Sequence, residues 1–269
     1  MVTALGAAVV LFCPASSLGV PGHPHHGLHA GGRLDVDPGF DAAHAVAVQS
    51  DGKIIAVGGG TYEPPTATDF ALARYTADGS PDATFGAGGK VTTDFGGGSE
   101  AAFAMALQAD GKIIAAGSRS TNEGGGEFAL ARYTADGSLD TTFGAGGRVT
   151  TAFGGDFAQA FAMRLQADGK IVAVGHSGTF GSVDFALARY DTDGGLDAGF
   201  GAGGTVTTDI GGAFDSARAA ALQADGKIIA AGYGGSAGTD DFALVRYDTD
   251  GAPDTTFGTD GRVLTRRCE

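Results

Sequence analysis

Three observations predict an all-β fold for this sequence, a β-propeller built from four tandem four-stranded repeats. Glycine makes up 49 of the 269 residues, and each glycine inside a helix costs roughly 1 kcal/mol relative to alanine. One unit recurs four times, every 57 to 59 residues. Within each unit, short runs alternate with the two-residue period of strands, and nothing has helical period.

Composition narrows the function classes. The glycines lack collagen's every-third spacing, and 43% hydrophobic with 18% charged residues argues against disorder. Lys and Arg number 17 against 31 Asp and Glu, a net charge of −14. A nucleic-acid partner is therefore not expected, because displacing phosphate counterions needs a basic stripe. The same excess of carboxylate disfavours anionic membrane surfaces and keeps a glycine-rich chain soluble.

Residues 1–30 read as a signal-like leader and a linker, and residues 31–269 as the repeat domain. The segment 4–13 (ALGAAVVLFC) is too short to span a bilayer but fits the hydrophobic part of a secretory signal. Small residues follow at Ala15, Ser16 and Ser17, although no Lys or Arg precedes the run and the first basic residue is Arg33. The expected location is secreted or at the cell surface, with no membrane insertion of the mature chain. His23, His25, His26 and His29 lie in a Pro/Gly-rich stretch and read as linker. Cys13 and Cys268 sit at the extremes of the chain, so stability must come from packing and not from a disulfide framework.

The repeat is explicit. Asp-Gly-Lys begins at Asp51, Asp110, Asp168 and Asp225, and Arg-Tyr at Arg74, Arg132, Arg189 and Arg246. In each unit two strands flank an Asp-Gly pair, which signals a tight hairpin with both residues at positive φ. The third strand is FALARY or a close variant; a second Asp-Gly turn and a glycine-rich loop lead to the fourth, KVTTDF in the first unit. In the first strand the bulky residues, such as Met105 and Leu107, alternate with alanines. One face of each sheet is thus expected to be bulky and the other nearly bare, so that neighbours nest. The segment 31–35 (GGRLD) aligns with 146–150 (GGRVT), and 261–265 ends the chain in the same element. Two arrangements stay open: a closed four-blade ring, or a fragment of a larger propeller.

The unit LQADGKIIAAG followed by FALARYTADGSLDTTFGAGGRVTT resembles the delta-60 repeat of predicted bacterial β-propeller proteins of unknown function. The resemblance covers about residues 31–265. It implies a propeller, usually exported, and no activity.

Residues repeated in every unit read first as scaffold. Arg74, Arg132, Arg189 and Arg246 are expected to pack by their stems and to meet Asp82, Asp140, Asp197 and Asp254 of their own units. Asp191, Asp193 and Asp197, with their counterparts Asp248, Asp250 and Asp254, resemble part of a calcium loop, and calcium is the cofactor such loops would take. They lack the later bidentate glutamate, and Thr76 and Thr134 replace the first aspartate in the other units. A hairpin turn with helpful carboxylates is the competing reading.

Enzyme signatures are sparse. No histidine pair has helical zinc-binding spacing, and the glycine runs lack the Lys-Ser/Thr ending of a phosphate loop. No catalytic residues are assigned. Two functions are carried forward: a non-catalytic exported scaffold binding an extracellular protein or glycan, and a propeller-type hydrolase or lyase with its site at the channel mouth, for which calcium is the candidate assisting ion. Units differ most between their second and third strands, where equivalent loops of a propeller form one rim. Tyr62, Glu63, Asn122, His176, Phe180 and Tyr233 are the expected ligand contacts. Arg164, replacing a repeated alanine, reads as a packing adjustment.

Overall fold

In the computed structural model of the chain, residues 40–61, 68–96, 98–121, 124–235 and 241–265 are described. They contain no helix and form four antiparallel sheets, in each of which consecutive strands are neighbours. Blade 1 is β1 (Phe40–Val48), β2 (Ile54–Thr61), β3 (Phe70–Tyr75) and β4 (Lys90–Thr93). Blade 2 is β5 (Glu100–Leu107), β6 (Ile113–Ser120), β7 (Gly126–Tyr133) and β8 (Arg148–Thr151). Blade 3 is β9 (Phe157–Leu165), β10 (Ile171–Thr179), β11 (Ser182–Tyr190) and β12 (Thr205–Thr208). Blade 4 is β13 (Ser216–Leu222), β14 (Ile228–Gly234), β15 (Asp241–Tyr247) and β16 (Arg262–Thr265). The proposed leader, both cysteines and the segment 31–35 lie outside the described residues.

The Asp-Gly hairpins are looser than the sequence suggests. Gln49 N–H donates to the Lys53 carbonyl at 2.8 Å and Gly52 N–H to that of Gln49 at 2.9 Å. The loop therefore has three residues, and its positive φ falls on Gly52 (84°) and not on Asp51. This is a type I turn closed by a left-handed glycine. Asp51 instead accepts the Lys53 N–H through its side chain at 3.1 Å, which suits a residue for which positive φ is costly.

Blades stack in chain order through their first strands, β1 on β5, β5 on β9 and β9 on β13, which makes the first strand innermost. The packing corrects the expectation of one bare face. Blade 1 presents Ala45, Ala47, Phe70 and Leu72 to Met105, Leu107, Ala129 and Ala131 of blade 2 within one core cluster. Size complementarity thus runs strand by strand: small meets large at the first strand, and large meets small at the third. A uniformly bulky face would leave voids opposite the Phe and Leu of the third strand.

Polar stitches reinforce each junction. Arg74, Arg132, Arg189 and Arg246 pair through Nε with Asp82, Asp140, Asp197 and Asp254 at 2.8, 2.7, 2.6 and 2.7 Å. Their guanidinium groups lie over Phe85, Phe143, Phe200 and Phe257 at 4.5 to 4.7 Å from the ring centroids. The first three also reach the next blade and donate to the carbonyls of Ala135, Thr192 and Thr249. In the reverse direction Tyr133, Tyr190 and Tyr247 meet Thr93, Thr151 and Thr208 of the preceding blade at 2.8, 2.7 and 2.9 Å. Blade 4 does not close onto blade 1: Phe242 is 73% exposed, whereas its equivalents Phe70, Phe128 and Phe185 are fully buried.

Candidate functional site

The innermost strand of every blade carries one residue too many for its partner. In β1, Ala43 and Ala45 pair with consecutive residues of β2, so His44 bulges. The same register shift singles out Phe103 in β5, Phe161 in β9 and Arg218 in β13. A bulge re-aims one side chain and tightens the local twist. It also drives the strand against its neighbour: a Cβ on Gly117 or Gly175 would sit 1.9 or 1.8 Å from a backbone oxygen of the bulged strand. The glycine after each second-strand alanine or valine is thus the local sequence cause of the bulge geometry.

The four bulged side chains form a row across the blades. His44 packs against Phe103 at 4.9 Å and Phe103 against Phe161 at 5.3 Å between centroids, both in tilted contact at interplanar angles of 46° and 45°. The Arg218 guanidinium lies 3.8 Å over the Phe161 ring, a close cation–π contact. It also donates to the Tyr233 hydroxyl at 2.9 Å. His176 meets the edge of Phe161 at 5.2 Å, and its Nδ1 is 2.9 Å from Ser216 Oγ. Burial, and then the neighbouring Arg218 charge, pull the His176 imidazole down to about 4, so it is neutral at physiological pH. His44 is exposed and the other members of the row are half-buried, which leaves an accessible aromatic surface with a cation at one end.

Of the expected contacts, His176 and Tyr233 are brought together here around Phe161 and Arg218. Phe180 is 82% exposed at the β10–β11 turn, edge-on to Phe157 at 4.4 Å between centroids. Tyr62, Glu63 and Asn122 lie outside the described residues. Arg164 is half-buried in β9 and donates to the Met163 carbonyl at 2.8 Å.

The aspartates expected to form calcium loops surround lysines. Lys170 Nζ is 3.2 Å from Asp191 and 2.7 Å from Asp197, and Lys227 Nζ is 2.6 Å from Asp248 and 2.7 Å from Asp254. Asp193 and Asp250 instead accept N–H groups of their own turns, from Gly195 and Ala252, each at 3.0 Å.

Two other acidic groups escaped the sequence reading: Asp69, Asp94 and Glu100, and Asp184, Asp209 and Asp215. In each group the three side chains offer oxygens within 4.8 Å of one another. Glu100 already accepts the Phe95 N–H at 2.8 Å and Asp215 that of Ile210 at 2.6 Å, which leaves fewer oxygens than the six to eight calcium takes. Burial, followed by the charges of Asp209 and Asp215, raises the Asp184 carboxyl. Both groups share spacings of 25 and 6 residues, a signal that was available in the sequence.

The letters Gly-x-Ser-x-Gly occur at 234–238. A nucleophile elbow joins a strand to a helix, whereas this segment joins strands β14 and β15, and Ser236 lies outside the described residues.

Comparison with known proteins agrees with the repeat. A family model described as "Domain of unknown function (DUF5122) beta-propeller" matches residues 49–85, 108–143, 166–200 and 223–257, more than half of the chain. Among solved structures, similarity extends to extracellular domains 1–2 of Drosophila Semaphorin 1b, at 14% identity and a TM-score of 0.40. That alignment covers 76% of this chain and 40% of the semaphorin chain, so the protein spans well under half of that relative's length. A puromycin hydrolase aligns at 17% identity and a TM-score of 0.39, over 83% of this chain and 38% of its own. The Bacillus subtilis arabinanase Arb43A aligns at 12% identity and 0.37, over 81% and 77%. No curated protein matches.

Proposed function

This chain belongs to the DUF5122 β-propeller family, and from that premise we propose that it is a non-catalytic binding scaffold, exported from the cell, whose partner is an extracellular glycan or protein. The observation that carries the reading is the bulge row. Where flanking positions repeat as small residues, the bulged one holds His44, Phe103, Phe161 and Arg218, four side chains that touch in sequence. A rigid sheet that aims unlike side chains from one equivalent position offers a varied contact surface on an unvaried frame. Aromatic faces with an Arg beside them are suited to stacking on sugar rings or apolar side chains. His176 and Tyr233 extend the surface toward the loops of the rim.

A glycan and surface-protein array identifies the ligand, and the double variant Phe103→Ala/Phe161→Ala then tests the site. Binding should fall at least about tenfold, as removal of central aromatic contacts does, while circular dichroism stays all-β. Full binding by the folded variant overturns the reading. Export rests on the 4–13 segment and is checked by N-terminal sequencing of secreted protein, which should begin shortly after Ser17.

One observation favours a hydrolytic site as a second reading, namely the Ser216–His176 pair. Ser216 is, however, 2% exposed, and a nucleophile must be reachable by substrate. The pair ties β10 to β13, which is a structural role.

A further inference from the structure

In each blade the hairpin lysine and the third-strand arginine share one aspartate. Lys53 and Arg74 meet on Asp82, Lys112 and Arg132 on Asp140, Lys170 and Arg189 on Asp197, and Lys227 and Arg246 on Asp254. Arg218 departs from this pattern. It stands half-buried in the innermost strand of blade 4, and among the described residues it meets no carboxylate. A guanidinium taken partly out of water without a counter-charge forfeits hydration that ring contacts replace only in part. Its orientation is nevertheless fixed. The centroids of Phe161 and Tyr233 lie 3.8 and 5.3 Å from its carbon, and Nη2 donates to the Tyr233 hydroxyl at 2.9 Å. Arg164, the other arginine of an innermost strand, turns instead to the Met163 carbonyl beside it.

Resting on the reading of the bulge row as the binding surface, we infer that its ligand is a glycan carrying an acidic sugar, whose carboxylate is gripped by Arg218. A guanidinium has two edges that can each hold a carboxylate through two parallel N–H groups, and one bond from Nη2 occupies at most one of them. The Tyr233 hydroxyl accepts from Arg218 and keeps its own O–H to donate to the same carboxylate. Beside the cation, Phe161 and Phe103 supply apolar surface for the C–H groups of adjoining sugars. The net charge of −14 repels a polyanion, so the acidic sugar is one among neutral ones. An acidic peptide fits less well. An extended peptide needs a regular strand edge for its backbone, whereas the row crosses four strands and a bulge interrupts each of them. A sugar makes no such demand, because water on the open side satisfies its outer hydroxyls.

The test is isothermal titration calorimetry of the full chain against glucuronosyl-xylotriose, sialyllactose, the carboxyl methyl esters of both, and a glutamate-rich peptide. At least one acidic oligosaccharide should bind. Its ester, which keeps the sugars and loses the charge, should bind roughly tenfold to a hundredfold more weakly, as loss of a charged hydrogen-bonded pair dictates. Arg218→Gln should erase that preference for the acid. The comparison of acid with ester on wild type needs no variant, so it decides the matter even if Arg218→Gln does not fold. Equal affinity for acid and ester, both lost in Phe103→Ala/Phe161→Ala, overturns the carboxylate inference and keeps the bulge row as a binding surface. Acid binding that the aromatic double variant leaves intact overturns the row and this inference with it. A folded Arg218→Gln that still prefers the acid, a peptide bound more tightly than either oligosaccharide, or binding of neither oligosaccharide also overturns the inference.

Discussion

Gly175 faces the bulge at Phe161, and its role is steric. A Cβ there would stand 1.8 Å from the Gln159 carbonyl oxygen, so Gly175→Ala must push β9 away from β10 or flatten the bulge. We expect a loss of about 1–3 kcal/mol, read by urea denaturation, together with loss of the Arg218–Phe161 contact; an unchanged midpoint would show that the bulge yields freely. Four other residues contribute to the acid limb of stability. Hydrogen bonds from Thr84 and Thr142 lead the causes that hold Asp82 and Asp140 below the usual carboxylate range. Lys227 does the same for Asp254, and Lys170 leads in drawing Asp197 down to about 2. The folded values lie below the unfolded ones, so on acidification the unfolded chain takes up protons first. Their stabilisation is present above the unfolded carboxylate value of about 4 and is lost progressively as pH falls through the folded values, about 2 for Asp197 and lower for the other three. Melting temperature measured across that range should fall steeply, and Asp197→Asn should make the fall shallower.

Each strand's identity was legible from its residues, because alternation and turn signals lie within a few positions of one another. FALARY predicted β3, β7 and β11, and the Arg–Asp pairs within units were readable from their constant eight-residue separation. What the sequence did not disclose depends on register between strands. Phe103 reads as one more apolar residue of its strand until pairing shows Ala102 and Ala104 opposite consecutive residues of β6. The acidic groups are half-legible for a related reason: their shared spacing is visible in the sequence, but Asp184 and Asp215 lie 31 residues apart and their meeting depends on a blade junction. The tyrosine latch is such a cross-blade contact and can be tested alone. Tyr190→Phe keeps the ring and leaves Thr151 without its partner. The expected loss is about 1–2 kcal/mol, measured by thermal melting, and Thr151→Val in the same background should recover part of it.

Over the whole molecule, stability should be graded, since among the described residues the extensive contacts between blades join chain neighbours, as in repeat arrays. Amide exchange in dilute protein should be slowest in β6, β7, β10 and β11 and faster in β1 and β16, which belong to blades covered on one side. Uniform protection from blade 1 to blade 4 would show that some contact joins the ends even at low concentration. The stitches between blades also have a direction: arginine reaches forward along the chain, tyrosine backward, and every junction uses the same pair. A unit added or removed in whole therefore meets neighbours that already carry its bonding partners. Residues 70–80 and 128–138 are identical in sequence, so an exchange that joined one stretch to the other would remove or add one complete repeat of 58 residues without altering either junction sequence. Copy number in this architecture is open to change in single steps that preserve folding, whereas a point change at one junction has to be matched by another.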